Sequence, residues 1–262
     1  MRPLLAVALV QALASAPFAR AGPLSRSDQG SVVLRNFTAG AGVPPVTFQH
    51  WRHRAMYTCR VCHVDVGFAM EAGGTRVSAS TNRSGFHCGA CHDGKATRGG
   101  KRIFASCSEG PFDGRPAACG RCHRAETSSA EASEAFDEFA RPLPRTAAGT
   151  IDWDEAEARG LLAPADSVEG ASVARRPLPY EKEITIALKR TAGIVFSHKK
   201  HARWSGCELC HPEIFPMSPS ASFRYSMQRI MGGEHCGACH GKVAFPLSDC
   251  DRCHTERPKA GR

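Results

Sequence analysis

Six times in this 262-residue chain, two cysteines three positions apart are followed at once by histidine. The motifs are Cys59/Cys62/His63, Cys88/Cys91/His92, Cys119/Cys122/His123, Cys207/Cys210/His211, Cys236/Cys239/His240 and Cys250/Cys253/His254. They take up twelve of the thirteen cysteines and six of the twelve histidines. Zinc ribbons also use paired CxxC, but nothing in a tetrahedral zinc site requires the next residue to be histidine. Disulfides, the usual use of cysteine in an exported chain, require none either. At this histidine content, six such coincidences have a chance of about one in 10⁸. Covalent haem attachment needs this spacing. Cysteines three apart stand on neighbouring helical turns and can form thioethers to both vinyl groups, and a histidine four past the first lies on the same face, toward the iron. The motifs imply six haem c groups, with the twelve paired cysteines as attachment points and His63, His92, His123, His211, His240 and His254 as proximal iron ligands.

Six histidines remain: His50, His53, His87, His198, His201 and His235. They fall three to each half of the chain, because the halves are an internal repeat. Phe48, His50, His53, Cys59, Cys62, His63, His87, Cys88, Cys91 and His92 each recur 148 positions later, from Phe196 to His240. The third motif breaks the offset, since the first half carries an insertion that aligning Phe104 with Phe245 splits into a part before that phenylalanine and a part after it. The unpaired Cys107 lies in the insertion and reads as an incidental surface thiol or an intermolecular crosslink. Six haems and six spare histidines predict two axial imidazoles for every iron. His50 and His53 lie about one turn apart on one face, and an iron has one free axial position, so they must serve two different haems. His87 directly precedes Cys88 on too short a tether to reach round that haem, so it serves another. The same holds for His198 with His201, and for His235.

These residues resemble the class III, cytochrome c3/c7-type multihaem cytochromes, and specifically their triheme c7-type domain. The resemblance covers about 46–123 and 194–254. It rests on F-x-H-x-x-H, the short strand upstream of it, the histidine ahead of the second motif and the three CxxCH motifs of each half. It implies axial pairs His50–His63, His53–His92 and His87–His123, and in the second half His198–His211, His201–His240 and His235–His254. The fold it implies is small, mainly irregular and α, and dominated by its cofactors. Two tandem triheme modules each carry short helices at the CxxCH motifs and a minor N-terminal β element.

Residues 1–21 read as a signal peptide: Arg2, an apolar run from Leu4 to Leu13 too short to span a bilayer, and an A-x-A site at 19–21. Export to the periplasm is therefore expected, with no membrane span in the mature form. A lead-in follows over 22–45, with a strand candidate at 32–34. The first module is 46–124, an acidic linker 125–183, and the second module 184–262, with a strand candidate at 184–188 near its start. The linker holds 13 acidic and 6 basic residues, a net of −7. One helix is predicted in it, capped by Asp152 with Glu155 at its third position, and Trp153 with Leu161 or Leu162 is expected to dock on a module. The rest is expected to be extended or mobile.

The formal charge of +9 would suit nucleic acid or a membrane surface. Twelve haem propionates answer most of it, however, so no nucleic acid partner is expected. Few aromatics and many glycines leave each module unable to build a side-chain core, and the haems are expected to be the core. Phe48 and Phe196 read as haem-packing residues. Two imidazoles on every iron leave no position for substrate and predict low potentials. The chain therefore reads as an electron carrier and not an enzyme, with redox proteins as partners: quinol-oxidising or membrane cytochromes and terminal reductases. The alternatives are a multihaem reductase subunit, or a structural unit of a haem conduit or filament. The sequence leaves oligomeric state open.

Overall fold

Val32 and Val33 are β-branched, and a run of such residues favours extended backbone. In the computed structural model, which describes residues 30–107, 119–123, 129–168, 181–188, 192–218 and 225–256, strand β1 (Ser31–Leu34) pairs antiparallel with β2 (Val46–Gln49), Val32 opposite Phe48. The expected export segment 1–21, part of the insertion and the basic tail lie outside the described residues. β2 runs without a break into α1 (His50–Arg54). Beyond the first motif come α2 (Ala79–Arg83), capped by Ser78, and a 3₁₀ turn at His87–Ala90. The part of the insertion ahead of Phe104 is a small hairpin, β3 (Thr97–Arg98) with β4 (Lys101–Arg102). Its two-residue turn is Gly99-Gly100, both at positive φ, as a tight hairpin of this hand demands.

The short helices expected at every CxxCH motif are found only in part. The first motif carries a five-residue π-helical stretch, Val61–Asp65, and the second, fifth and sixth carry 3₁₀ turns. Cys122 of the third motif departs from the expectation: it lies in a turn, not on a helix. The Cys122 N–H donates to the Cys119 carbonyl at 3.1 Å and the His123 N–H to the same oxygen at 2.8 Å, which closes one turn of chain. His123 then enters an antiparallel bridge with Val46, and that extended pairing ends the helical backbone. Cys119 and Cys122 therefore do not stand on successive turns of a helix. The fourth motif is likewise a turn, with Cys210 and His211 both donating to the Cys207 carbonyl.

The linker departs most from expectation. Besides the helix foreseen at Asp152, here α4 (Trp153–Ala158), it forms the longest helix of the described chain, α3 (Ser129–Ala140). Phe136, Ala140 and Leu143 pack with Ile151, Trp153, Ala156, Leu162 and Trp51 of α1 into the main apolar cluster, and Phe136 is wholly buried. The described part of the linker, 129–168, is thus the best-packed part of the described chain, while 125–128 and 169–180, also expected to be extended, lie outside the described residues. Physically, Phe136, Phe139, Ala140 and Leu143 fall at helical spacing, and the stripe they make outweighs the acidic residues around it. Asp152 caps α4 as foreseen, accepting a hydrogen bond from the Glu155 N–H at 3.2 Å. Leu162 docks, whereas Leu161 stays exposed. The linker is then tied to the chain ahead of the first motif, with the Thr58 N–H on the Ala165 carbonyl and the Ala165 N–H on that of Met56.

The second half repeats the first. β5 (Glu183–Ile186) pairs with β6 (Gly193–Ser197), Ile184 opposite Phe196, and β6 leads directly into α5 (His198–Ser205). α6 (Met227–Met231) and the 3₁₀ turn His235–Ala238 answer α2 and its turn. β7 (His254–Glu256) closes a three-stranded sheet against β6. Around the motifs only a few apolar side chains are buried, among them Val61, Leu209 and Ile230. Among the described residues, no helix is long and apolar enough to cross a membrane.

Candidate haem-binding sites

α1 and α5 put their two histidines on one face because residues three apart are neighbours on a helix. Phe48 meets both from the strand before: its ring centroid lies 4.8 Å from that of His50, edge-on, and 4.3 Å from that of His53. Phe196 repeats this at 4.9 Å from His198 and 4.3 Å from His201. The two copies thus share one geometry, and the phenylalanine fixes the tilt of both imidazoles.

Nine of the histidines turn Nδ1 to a backbone carbonyl. In the first half these are His50 to Gly30 (2.5 Å), His53 to Gln49 (3.2 Å), His63 to Phe68 (2.9 Å), His92 to Phe104 (3.2 Å) and His123 to Pro44 (2.8 Å). In the second they are His198 to Lys182 (3.0 Å), His201 to Ser197 (2.9 Å), His211 to Phe215 (2.8 Å) and His254 to Ala192 (2.8 Å). A carbonyl can only accept, so Nδ1 must carry the proton and Nε2 the lone pair. That is the tautomer an iron needs, held in place by a second partner behind the ring. The Phe245 carbonyl stands near His240 and raises its pKa, though not in hydrogen-bonding geometry.

The rings come in facing twos. His50 and His63 have centroids 6.3 Å apart and planes within 5° of parallel. His53 and His92 are 6.4 Å apart, and His201 and His240 are 6.2 Å apart. Two imidazoles on opposite faces of one iron, each with a metal–nitrogen bond of about 2.0 Å, would have centroids about 6.3 Å apart. The three separations match that span, with the planes of the last two pairs crossed at 64° and 62°. Among the described residues no group of three or more histidine, cysteine or acidic side chains converges on a bare metal ion.

His87 and His235 are placed differently. Both adopt left-handed backbone, φ 51° and 53°, strained for a residue with a side chain. His87 lies 5.6 Å from the Phe68 ring and His235 5.9 Å from that of Phe215. Nδ1 of His87 is buried without a hydrogen-bond partner. Phe68 and Phe215 therefore each anchor one predicted ligand through the carbonyl and pack on another through the ring. Sequence reasoning missed both, because they are 147 positions apart and so fall out of the 148-residue register. An aromatic four or five residues after the motif's histidine was the available signal. The glycine of the second and fifth motifs is also structural: a Cβ on Gly89 would lie 1.8 Å from the Asn82 carbonyl oxygen, and one on Gly237 1.8 Å from that of Ile230.

The predicted attachment cysteines form no disulfide, either within a CxxC pair or between pairs. Although Cys122 sits in a turn, both it and Cys119 are half-buried, as Cys59, Cys62, Cys88 and Cys91 are. Cys122 also stands close to Cys88, whose thiol is raised first by burial and next by that neighbour. The third attachment loop is thus folded against the second.

A family model described as cytochrome c7 and related cytochrome c matches residues 46–135 and 194–255, more than half of the chain. The chain belongs to this cytochrome c7 family. Haem c binding and a part in electron transport follow from that membership. Among solved structures, a c7-type three-haem cytochrome domain is 34% identical, covering 30% of this chain and 99% of its own, with a TM-score of 0.27. The C-terminal hexahaem fragment of GSU1996 is 25% identical over 86% of this chain and 96% of its own, at a TM-score of 0.26. No curated protein matches.

Burial decides the electrostatics of this cytochrome's candidate ligands. It pushes His53 and His240 down to about 4, against the pull of the Gln49 and Phe245 carbonyls, and lowers His50, His63, His92 and His201 as well. Burial also raises the Cys62 and Cys239 thiols to about 12 and Cys88 to about 11. Uncharged sulfur suits a thioether, whereas zinc would need thiolate. The histidine shifts set an acid limit. Between about 4 and the ordinary 6.5, the unfolded chain holds more protons than the folded one, so stability rises with pH across that window. It is lost as pH falls through about 4. On acid titration of the holoprotein, the low-spin absorbance is expected to persist through the ordinary imidazole range near 6.5 and to be lost only below it, since an iron-bound nitrogen takes a proton only by leaving the metal. Collapse with a midpoint near 6.5 would show imidazoles open to water.

Proposed function

We propose that the chain is an exported hexahaem c-type cytochrome, two triheme modules at 46–124 and 184–262 joined by the linker 125–183, that carries electrons between redox proteins. The observation that carries this reading is the facing of histidine rings 6.2–6.4 Å apart, in the first half and again in the second. Each attached haem supplies one-electron exchange between ferric and ferrous iron. The chain does the rest. Twelve paired cysteines would hold the groups, His63, His92, His123, His211, His240 and His254 would each bind the iron of the group their own cysteines hold, and His50, His53, His87, His198, His201 and His235 would supply the second nitrogen. Backbone carbonyls hold nine of these rings in the binding tautomer. Two histidine nitrogens for every iron would leave substrate no place at the metal, which supports a carrier over an enzyme. Two nitrogen ligands without methionine support low potentials. Periplasmic residence rests on the leader at 1–21. The partners are then quinol-oxidising or membrane cytochromes on one side and terminal reductases on the other.

The test is intact mass of the holoprotein together with carbon monoxide addition to the reduced form. Six haems and no spectral change are expected. Fewer haems, or a shift at one of them, would overturn the reading.

A further inference from the structure

By the 148-residue repeat, the first attachment loop, Cys59-Arg60-Val61-Cys62, is the counterpart of the fourth, Cys207-Glu208-Leu209-Cys210. These two loops meet. Arg60 Nε lies 3.9 Å from the Glu208 carboxylate, while its Nη2 holds Asp65 at 3.0 Å. The Arg60 chain passes so close to Gly206 that a Cβ there would fall 2.5 Å from its Cδ, so the fourth loop needs glycine at that point. Val61 and Leu209 are both buried. Contact between equivalent positions is the mark of a two-fold interface, formed here within one chain. A perfect duplicate would set like charges against each other, whereas here arginine faces glutamate.

The surroundings hold the same junction. Arg54 Nη1 donates to the Val243 carbonyl, 189 residues away and three past His240. A Cβ on Gly30, whose carbonyl anchors His50, would lie 3.1 Å from Val243 Cγ1. Helix α4 lies between the halves. Its apolar side, Trp153 and Ala156, packs in the cluster with Trp51, and the Arg54 guanidinium sits 3.8 Å over the Trp153 ring. Its acidic side reaches the second half, Asp154 to Lys200 at 2.9 Å and Glu157 to Arg203 at 2.5 Å, with Asp152 at its cap 3.7 Å from Arg252. The repeat has diverged to match: Trp51, Arg54 and Ala55 correspond to Lys199, Ala202 and Arg203.

We propose that the two halves join through their equivalent first and fourth haem-attachment loops, clamped by α4, and that electrons pass between the halves there and not from one end of the chain to the other. The proposal rests on the hexahaem reading. Each crossing oxidises one ferrous iron and reduces one ferric iron, so charge balances without a further reactant.

The test uses the holoprotein. In an Arg60→Lys variant, carbodiimide is expected to couple the new amine both to Asp65 in its own loop and to Glu208 across the junction, read by peptide mass mapping. Coupling to Asp65 without Glu208 overturns the proposal. Independently, in a redox titration of the unaltered holoprotein followed by NMR, oxidation of the fourth-motif haem is expected to shift the titration of the first-motif haem. Absence of that shift overturns the proposal whatever the variant does. Six low-spin haems in the same sample without the shift sink this inference alone. Fewer haems sink the reading beneath it.

Discussion

Replacing His53 by alanine is expected to leave every haem attached but convert one iron in six from low-spin to high-spin. The reason is local. His53 is held by the Gln49 carbonyl and the Phe48 ring and faces His92 at 6.4 Å. Alanine removes one of the two nitrogens while the Cys88 and Cys91 thioethers and His92 remain. The vacated position should take up carbon monoxide, one equivalent per chain where the unaltered protein takes none, and absorbance difference spectra would show it. His53→Met should restore a six-coordinate iron at a raised potential, since thioether ligation favours the ferrous state. His201→Ala should do the same for the iron held by Cys236 and Cys239, because Phe196 and Ser197 present it in the same way. Carbon monoxide binding unchanged from the parent in both variants would remove these residues from the ligand set.

Haem c binding was legible in the sequence because covalent attachment depends on residue type at fixed spacing. The F-x-H-x-x-H segment needs only a strand that runs into a helix to bring two histidines onto one face, and the family resemblance implied a short strand ahead of it. Pairing His50 with His63, His53 with His92 and His201 with His240 needed the family resemblance, and the facing rings accord with it. Spacing did not settle backbone form at the motifs: Cys122 follows Cys119 through a turn, because a bridge from His123 to Val46 takes over the chain. The roles of Phe68 and Phe215 were hidden by a one-residue slip in the repeat. The structure of the linker was hidden by its charge. Thirteen acidic residues read as solvated chain, yet Phe136, Phe139 and Ala140 sit at i, i+3 and i+4 on one face of the helix, and Leu143 carries the apolar stripe just past its end. That Arg60 and Glu208 meet was not legible either, since contact between copies of a repeat is set by tertiary packing and leaves no mark on spacing.

That packing has a second source of stability, and Phe136→Ala separates it from the haems. Phe136 is wholly buried, 5.7 Å from the Trp51 ring. A cavity of that size is expected to destabilise the linker cluster by about 3–5 kcal/mol. The absorbance of the haems should not change, because no residue of the cluster is in the proposed ligand set. Heating should then show a far-ultraviolet transition at lower temperature, ahead of any change in the haem bands. α1 is where the two sources meet: His50 and His53 face the proposed irons while Trp51 and Ala55 face the cluster. Loss of the cluster should therefore loosen the first half before the second, since the equivalent of Trp51 is Lys199, whose amine pairs with Glu181 outside the cluster. Limited proteolysis of the variant should cut within 129–168 while the haem-bearing fragments stay intact. Simultaneous loss of linker and haem signals would instead make the cluster and the cofactors one cooperative unit.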